Sequence, residues 1–272
     1  MYEILLFAIS IGAGFLGSLL GIGGGMIVVP VLTLLLHVDI RYAIAASLIS
    51  IIATSSGAAA GFLKDHLTNL RVAVFLEIGT VFGAITGFII AKSLNAQALY
   101  LVFGVFLLIS ALMMLRQRTE VLSTNEHPWA RKLKLSSSYP NERGELVHYS
   151  VENAPLGLGM MFIAGGLSAI LGIGSGVLKV PVMDRAMKLP MKVSSATSNF
   201  MIGVTATASA GAYFVDGAIH PEIAGPVALG IICGSFVGAK AMVKMKPALI
   251  RRIFIVVLAI VSIQMIWRGV HS

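Results

Sequence analysis

The sequence predicts an all-α membrane protein made of two inverted-topology repeats. Each repeat is a glycine-broken helix and half-helix hairpin followed by three spanning helices. Three observations predict this: the composition, a repeat at constant offset, and a glycine cluster in the first apolar stretch of each half. Hydrophobic residues make up 57% of the 272-residue chain and charged residues 12%, against roughly 25% charged in a soluble domain. So few charges cannot solvate a globular surface, and the mean hydropathy of +0.92 points to the bilayer as solvent. Soluble enzyme, nucleic-acid-binding domain and disordered tail are set aside. The net charge of +8 is read by position, because Lys and Arg mark cytoplasmic loops.

Apolar stretches fall at about 3–36, 42–63, 70–92, 97–115, 155–187, 194–215, 221–243 and 248–267, most near the ~20 residues that span a bilayer. They divide the chain into a first transmembrane repeat (1–115), a cytoplasmic linker (116–153) and a second transmembrane repeat (154–272). The linker carries Arg116, Arg118, Arg131, Lys132, Lys134 and Arg143 with Ser136, Ser137, Ser138 and Pro140, and is expected to be partly mobile. The N-terminus has no basic region ahead of its apolar run and reads as a retained membrane segment.

The first stretch of each half is too long for one helix. Residues 21–25 are Gly-Ile-Gly-Gly-Gly, and four glycines forfeit ~1 kcal/mol of helix propensity each. The piece behind them, 26–36, has 11 residues, about 16 Å of helix, too short for a ~30 Å hydrocarbon core. A spanning helix, a break and a returning half-helix satisfy both constraints. Broken backbone at membrane depth must line protein or a water-filled cavity.

The second half repeats the first. An offset of 151 places Gly21, Ile22, Gly23 and Gly25 on Gly172, Ile173, Gly174 and Gly176, with Ser175 on Gly24. It also places Val29-Pro30-Val31 on Val180-Pro181-Val182, Ser47 on Ser198, Thr54 on Thr205 and Asp65 on Asp216. Gly79, Gly83 and Gly87 fall on Gly230, Gly234 and Gly238, and about 20 of 74 positions match between 14–87 and 165–238. Such internal symmetry is expected of transporter repeats. If neither broken stretch makes a net crossing, each half crosses an odd number of times and the repeats are inverted. With the linker inside, 16 Lys and Arg lie in cytoplasmic loops and three (Arg41, Lys92, Arg268) outside. That arrangement satisfies the positive-inside rule and puts both termini outside.

The glycine breaks are the leading candidates for chemistry. Successive backbone N–H groups can turn toward one point, and the half-helix behind adds its positive end, making an anion site without side-chain charge. The candidate groups are Gly23, Gly24 and Gly25 in one half and Gly174, Ser175 and Gly176 in the other. The alternative is that these glycines only permit close helix packing. Ser47 and Thr54, like Ser198 and Thr205, are seven apart and share a helix face. These hydroxyls either bind an oxyanion or bond across helices. Asn199 stands out because an amide in a dry interface needs a partner. Lys179, three residues past the second break, either attracts an oxyanion or snorkels to a surface. Glu77 is either a proton relay or an interfacial partner of Arg71. Asp65 and Asp216 end their helices. His37, His66 and His220 are too scattered for a metal site. The glycines at 79, 83, 87, 230, 234 and 238 are packing faces, within the fold or at a homodimer contact. Cys233 is a small packing residue that excludes an internal disulfide. No nucleophile–base pair, carboxylate pair, metal cluster or Lys-Ser/Thr after a glycine run is present, so neither an enzyme nor a cofactor is expected.

Together these motifs resemble the TauE/SafE family, the sulfite exporter family. The resemblance rests on 14–30 and 165–181, Ala45-Ala46-Ser47, Ala196-Thr197-Ser198-Asn199, Phe62 with Asp65 and Tyr213 with Asp216. Ala46 and Leu48 depart from Thr197 and Asn199 in the second half. The resemblance implies a multi-pass carrier in the cytoplasmic (inner) membrane that exports sulfite, an organosulfonate or a related anion. The alternative is a passive anion channel or a transporter of another small organic anion. The expected partners are a small anion and the lipid bilayer, not nucleic acid.

Overall fold

The computed structural model describes residues 2–19, 25–64, 66–115, 126–140, 145–244 and 247–271. The described part of each apolar stretch is helical, apart from 172–175. The first half gives α1 (Tyr2–Leu19), α2 (Gly25–Leu35), α3 (Ile40–Lys64), α4 (Leu70–Ser93) and α5 (Ala96–Leu115). The second gives α7 (Ala154–Leu171), α8 (Gly176–Pro181), a π-helical turn (Val182–Ala186), α9 (Met191–Val215), α10 (Pro221–Lys244) and α11 (Pro247–His271). Among the described residues, α4 and α7 are long and apolar enough to cross a membrane unaided. The 11-residue α2 matches the half-helix expected behind the first glycine cluster, and α8 is shorter still. Local chemistry sets several ends. Asn69 caps α4 by accepting the Val72 N–H at 3.1 Å, and Asp216 closes α9 while pairing with Lys92.

Helices pack across the two halves. α1 lies against α10, α4 against α7, α5 against α11 and α3 against α9. The pairs are reciprocal under the 151 offset. A Cβ at Gly79 or Gly83 would strike the carbonyl oxygens of Leu158 and Phe162, and one at Gly230 or Gly234 those of Phe7 and Ile11. Likewise Gly165 sits on the Thr80 carbonyl and Gly14 on that of Ile231. Each glycine face therefore seats a helix of the other half at backbone contact, the packing that membrane helices reach with small residues. Cys233, expected to pack inside, lies exposed on α10.

The linker has more structure than its composition predicts. It holds a short helix α6 (Pro128–Lys132) and an antiparallel hairpin of β1 (Ser137–Pro140) and β2 (Leu146–Tyr149). Ala130, Leu135, Tyr149 and Val151 are buried with Val72, Leu76, Met161, Met183 and Met187 in one apolar cluster. Asn69 ties this cap to the helices: its amide donates to the Leu135 carbonyl at 2.8 Å and the Tyr149 hydroxyl at 2.7 Å. Its own N–H donates to Thr197 Oγ1 at 3.0 Å. Burial holds the Tyr149 phenol above its ordinary pKa, offset in part by the bonds to Asn69 and Ser137.

Candidate functional site

The second glycine cluster is broken, as the sequence predicts. α7 stops at Leu171, and Gly172 (φ 65°), Gly174 (φ 69°) and Ser175 (φ 54°) adopt left-handed backbone before α8 resumes. For Ser175, which has a Cβ, that conformation costs on the order of 1 kcal/mol. Packing holds it there. Ile44 and Ile51 of α3 and Ile202 of α9 press on the space where side chains at 172, 174 and 176 would stand. Ser47 of α3 donates to the Gly172 carbonyl at 2.7 Å, and the N–H groups of Leu178 and Lys179 donate to the Ser175 carbonyl. The break is thus clamped between one helix from each half.

Two hydroxyls at this clamp have no hydrogen-bond partner although they are fully buried: Ser175 at the break and Ser198 on α9. A Cβ at Gly176 would sit 3.7 Å from Ser198 Oγ, so the Ser198 hydroxyl stands beside the break. A buried hydroxyl without a partner costs about 1–3 kcal/mol, and such groups call for an explanation. Ser168 on α7 and Ser209 further along α9 are buried in the same state.

The other predicted residues sort by environment. Thr54 is half-buried and donates to its own helix at Ser50 and Ile51. Asn199 donates one amide hydrogen to the Ser195 carbonyl at 2.9 Å, so its helix, not a facing one, satisfies that group. Gly25 begins α2, whereas Gly23, Gly24 and Asp65 lie outside the described residues. Thr205 and Lys179 come together with a residue that sequence reasoning underweighted. The Lys179 side chain is 0% exposed and does not snorkel. Its Nζ lies 3.1 Å from the Met201 carbonyl and 3.5 Å from Glu77 Oε1, and it donates to Thr205 Oγ1. Glu77 is also buried. Its Oε2 accepts from Thr80 Oγ1 at 2.6 Å, and both carboxylate oxygens lie 3.1 Å from Thr205 Oγ1. It therefore does not pair with Arg71, which instead donates to the Lys134 carbonyl at 3.1 Å. The signal available in the sequence was a lone carboxylate inside an apolar stretch. Among the described residues no cluster of three or more metal-ligating side chains occurs.

The model of the family described as sulfite exporter TauE/SafE matches residues 6–265, nearly the whole chain. The chain belongs to the sulfite exporter TauE/SafE family. Its similarity to curated relatives is also end to end. It is 29% identical over 280 residues to probable membrane transporter protein YunE of Bacillus subtilis, with 100% of both chains covered. A probable membrane transporter protein of Methanocaldococcus jannaschii is 25% identical over 277 residues, covering 96% of this chain and 94% of its own. One from Xylella fastidiosa is 25% identical over 262 residues, covering 94% and 92%. No solved structure matches. Family and relatives agree with the helical architecture: this is an α-helical membrane protein of a transporter family.

Proposed function

We propose that the protein is a secondary transporter that carries small sulfur oxyanions, sulfite or organosulfonates, out across the cytoplasmic membrane by alternating access. The observation that carries this reading is the clamped break, where the Ser175 and Ser198 hydroxyls are buried and unpartnered beside left-handed backbone. A tetrahedral or pyramidal sulfur oxyanion offers several acceptors to converging donors. Ser175 and Ser198 would supply two, and the N–H groups of 23–25 and 174–176 more. Asn199 has a second amide hydrogen to give. Ser47, Thr54 and Thr205 would line the path, and Lys179 would hold positive potential nearby. Binding by neutral donors stays modest, and modest binding permits release.

Alternating access follows if the halves are inverted repeats that rock about the shared α3–α9 contact. The reciprocal glycine seats support this, since inverted repeats are the recurrent basis of such motion. In this topology the protein is multi-pass, 1–115 and 154–272 are the membrane repeats, and 116–153 is cytoplasmic. A thermal-shift screen of the purified protein against sulfite, sulfoacetate, taurine, sulfate and carboxylates tests the site. Sulfite or sulfonate should stabilise the wild type, and Ser198→Val or Asn199→Leu should weaken that effect about tenfold in midpoint concentration, as expected for one lost hydrogen bond of ~1.4 kcal/mol. Equal stabilisation of wild type and variants would place the site elsewhere.

A further inference from the structure

The repeat supplies an internal control for the buried ion pair. At the 151 offset, Glu77 corresponds to Ala228, Lys179 to Val28 and Thr205 to Thr54. The same helix contacts are thus built twice, once around a carboxylate and an ammonium and once around Ala, Val and Thr. Val28 is as deeply buried as Lys179, and Thr54 simply bonds to its own helix. The fold therefore makes these helix contacts without charge, with Val28 buried and Thr54 and Ala228 half-buried. A buried ion pair does not in general stabilise a protein beyond apolar residues of similar volume, because desolvation offsets the attraction. Its presence on one side only calls for a task, and intramembrane ionisable pairs recur in proton pathways.

From this geometry we infer that Glu77 is the proton-coupling site of the carrier. It alternates between carboxylate paired to Lys179 and carboxylic acid, taking up one proton for each monovalent anion that enters. The inference rests on the transporter reading above and adds its coupling ion. Charge balance dictates the link. In the structure Glu77 and Lys179 neutralise each other, and Thr80 and Thr205 hold the carboxylate in place. An anion entering near Lys179 would meet that carboxylate and be repelled. If a proton from the bulk binds Glu77 Oε1 or Oε2, the ammonium loses its counter-charge and the anion replaces it. When the anion leaves, the proton leaves Glu77 and the pair re-forms. Anion and proton therefore favour each other's binding, reciprocally.

No other described titratable group stands at this spot. α7 carries none, and α8 contributes Lys179 alone. On α9, Lys192 and Tyr213 lie near opposite ends. On α4, Arg71 is tied to the Lys134 carbonyl and Lys92 to Asp216. Glu77 lies one-third of the way along its helix, with the Thr80 and Thr205 hydroxyls against its carboxylate.

Methanesulfonate is the suitable probe, because it stays a monoanion at every working pH and cannot itself carry the proton. Proteoliposomes are held at zero membrane potential with potassium and valinomycin, and labelled methanesulfonate flux is read alongside lumenal pH. The expected result is co-directional proton movement of about one proton per anion, as charge balance at the site requires, with flux insensitive to an imposed potential. Glu77→Gln is expected to remove the proton movement and flatten the pH dependence of exchange at whatever rate it retains. Wild-type anion flux without proton movement, driven instead by potential, overturns the coupling while leaving the transporter intact. A Glu77→Gln variant that still carries protons with the anion also overturns it. Failure of the wild type to exchange methanesulfonate or sulfite at any pH contradicts the transporter reading itself.

Discussion

Thr205 Oγ1 lies 3.1 Å from both oxygens of Glu77 and 2.9 Å from the Met201 carbonyl, and it accepts from Lys179. A hydroxyl has one proton to give, so Thr205 accepts from the ammonium and donates either to Glu77 or to the Met201 carbonyl. When it donates to Glu77 it joins both charges through one atom. Replacing it with Val keeps the shape and removes the join, and should cost about 1–3 kcal/mol as unsatisfied charged groups are left behind. Thermal unfolding in detergent would show it. Lys179→Met alone strands a buried carboxylate and should cost about 3–5 kcal/mol. The pair Glu77→Gln with Lys179→Met should recover most of that loss, since the other half packs the equivalent positions without charge. A double-mutant cycle that gives additive losses would refute the coupling between the two side chains. Neither partner was legible as a pair in the sequence, because 102 residues separate them and only the packing of both α4 and α8 on α9 brings them together.

Among the helices, the glycine faces decide registry. A Cβ at Gly83 would strike the Phe162 carbonyl, whereas nothing lies within 4 Å of the equivalent point on Gly12. Gly83→Ala should therefore destabilise by about 1–3 kcal/mol through helix separation, and Gly12→Ala should stabilise by about 0.5–1 kcal/mol through helix propensity. Opposite shifts of the melting temperature check the pair. The helices themselves were readable because apolar length and glycine interruption determine where a chain can span. The linker cap was not. Its charged, serine-rich composition hides four apolar side chains, Ala130, Leu135, Tyr149 and Val151, that dock on α4, α7 and the π-helical turn. Tyr149→Phe deletes the bond from Asn69 and should loosen the cap by about 1 kcal/mol, seen as faster hydrogen exchange in β2. Acid should act in the same direction. The Ser136 hydroxyl, and then Arg131, hold the Glu126 carboxyl below its usual value of 4.5. Their contribution is present above that value and is lost as the pH falls through the lower, folded-state pKa.

At the level of the whole molecule, the constant offset of 151 residues carried further than any single motif. It foretold the matched glycine faces, while the glycine cluster at 172–176 foretold the break there and a spacing of seven assigned Ser198 and Thr205 to one helix face. Residues 21–24 of the first cluster lie outside the described residues. The sequence could not foretell that Asn199 would bond within its own helix, because side-chain partners within four residues depend on rotamer, not on spacing. It named Ser175 and Ser198 as candidates but could not show that their hydroxyls are left without a partner once everything around them is packed. The most direct measurement of the central claim is trans-stimulated flux of labelled sulfite in proteoliposomes, compared between wild type and Gly174→Leu. A carrier that alternates about the clamped break should give saturable uptake, accelerated several-fold by unlabelled sulfite on the opposite side, and Gly174→Leu should abolish that acceleration. Flux that rises linearly with concentration and ignores the trans side, or that survives Gly174→Leu unchanged, would contradict it.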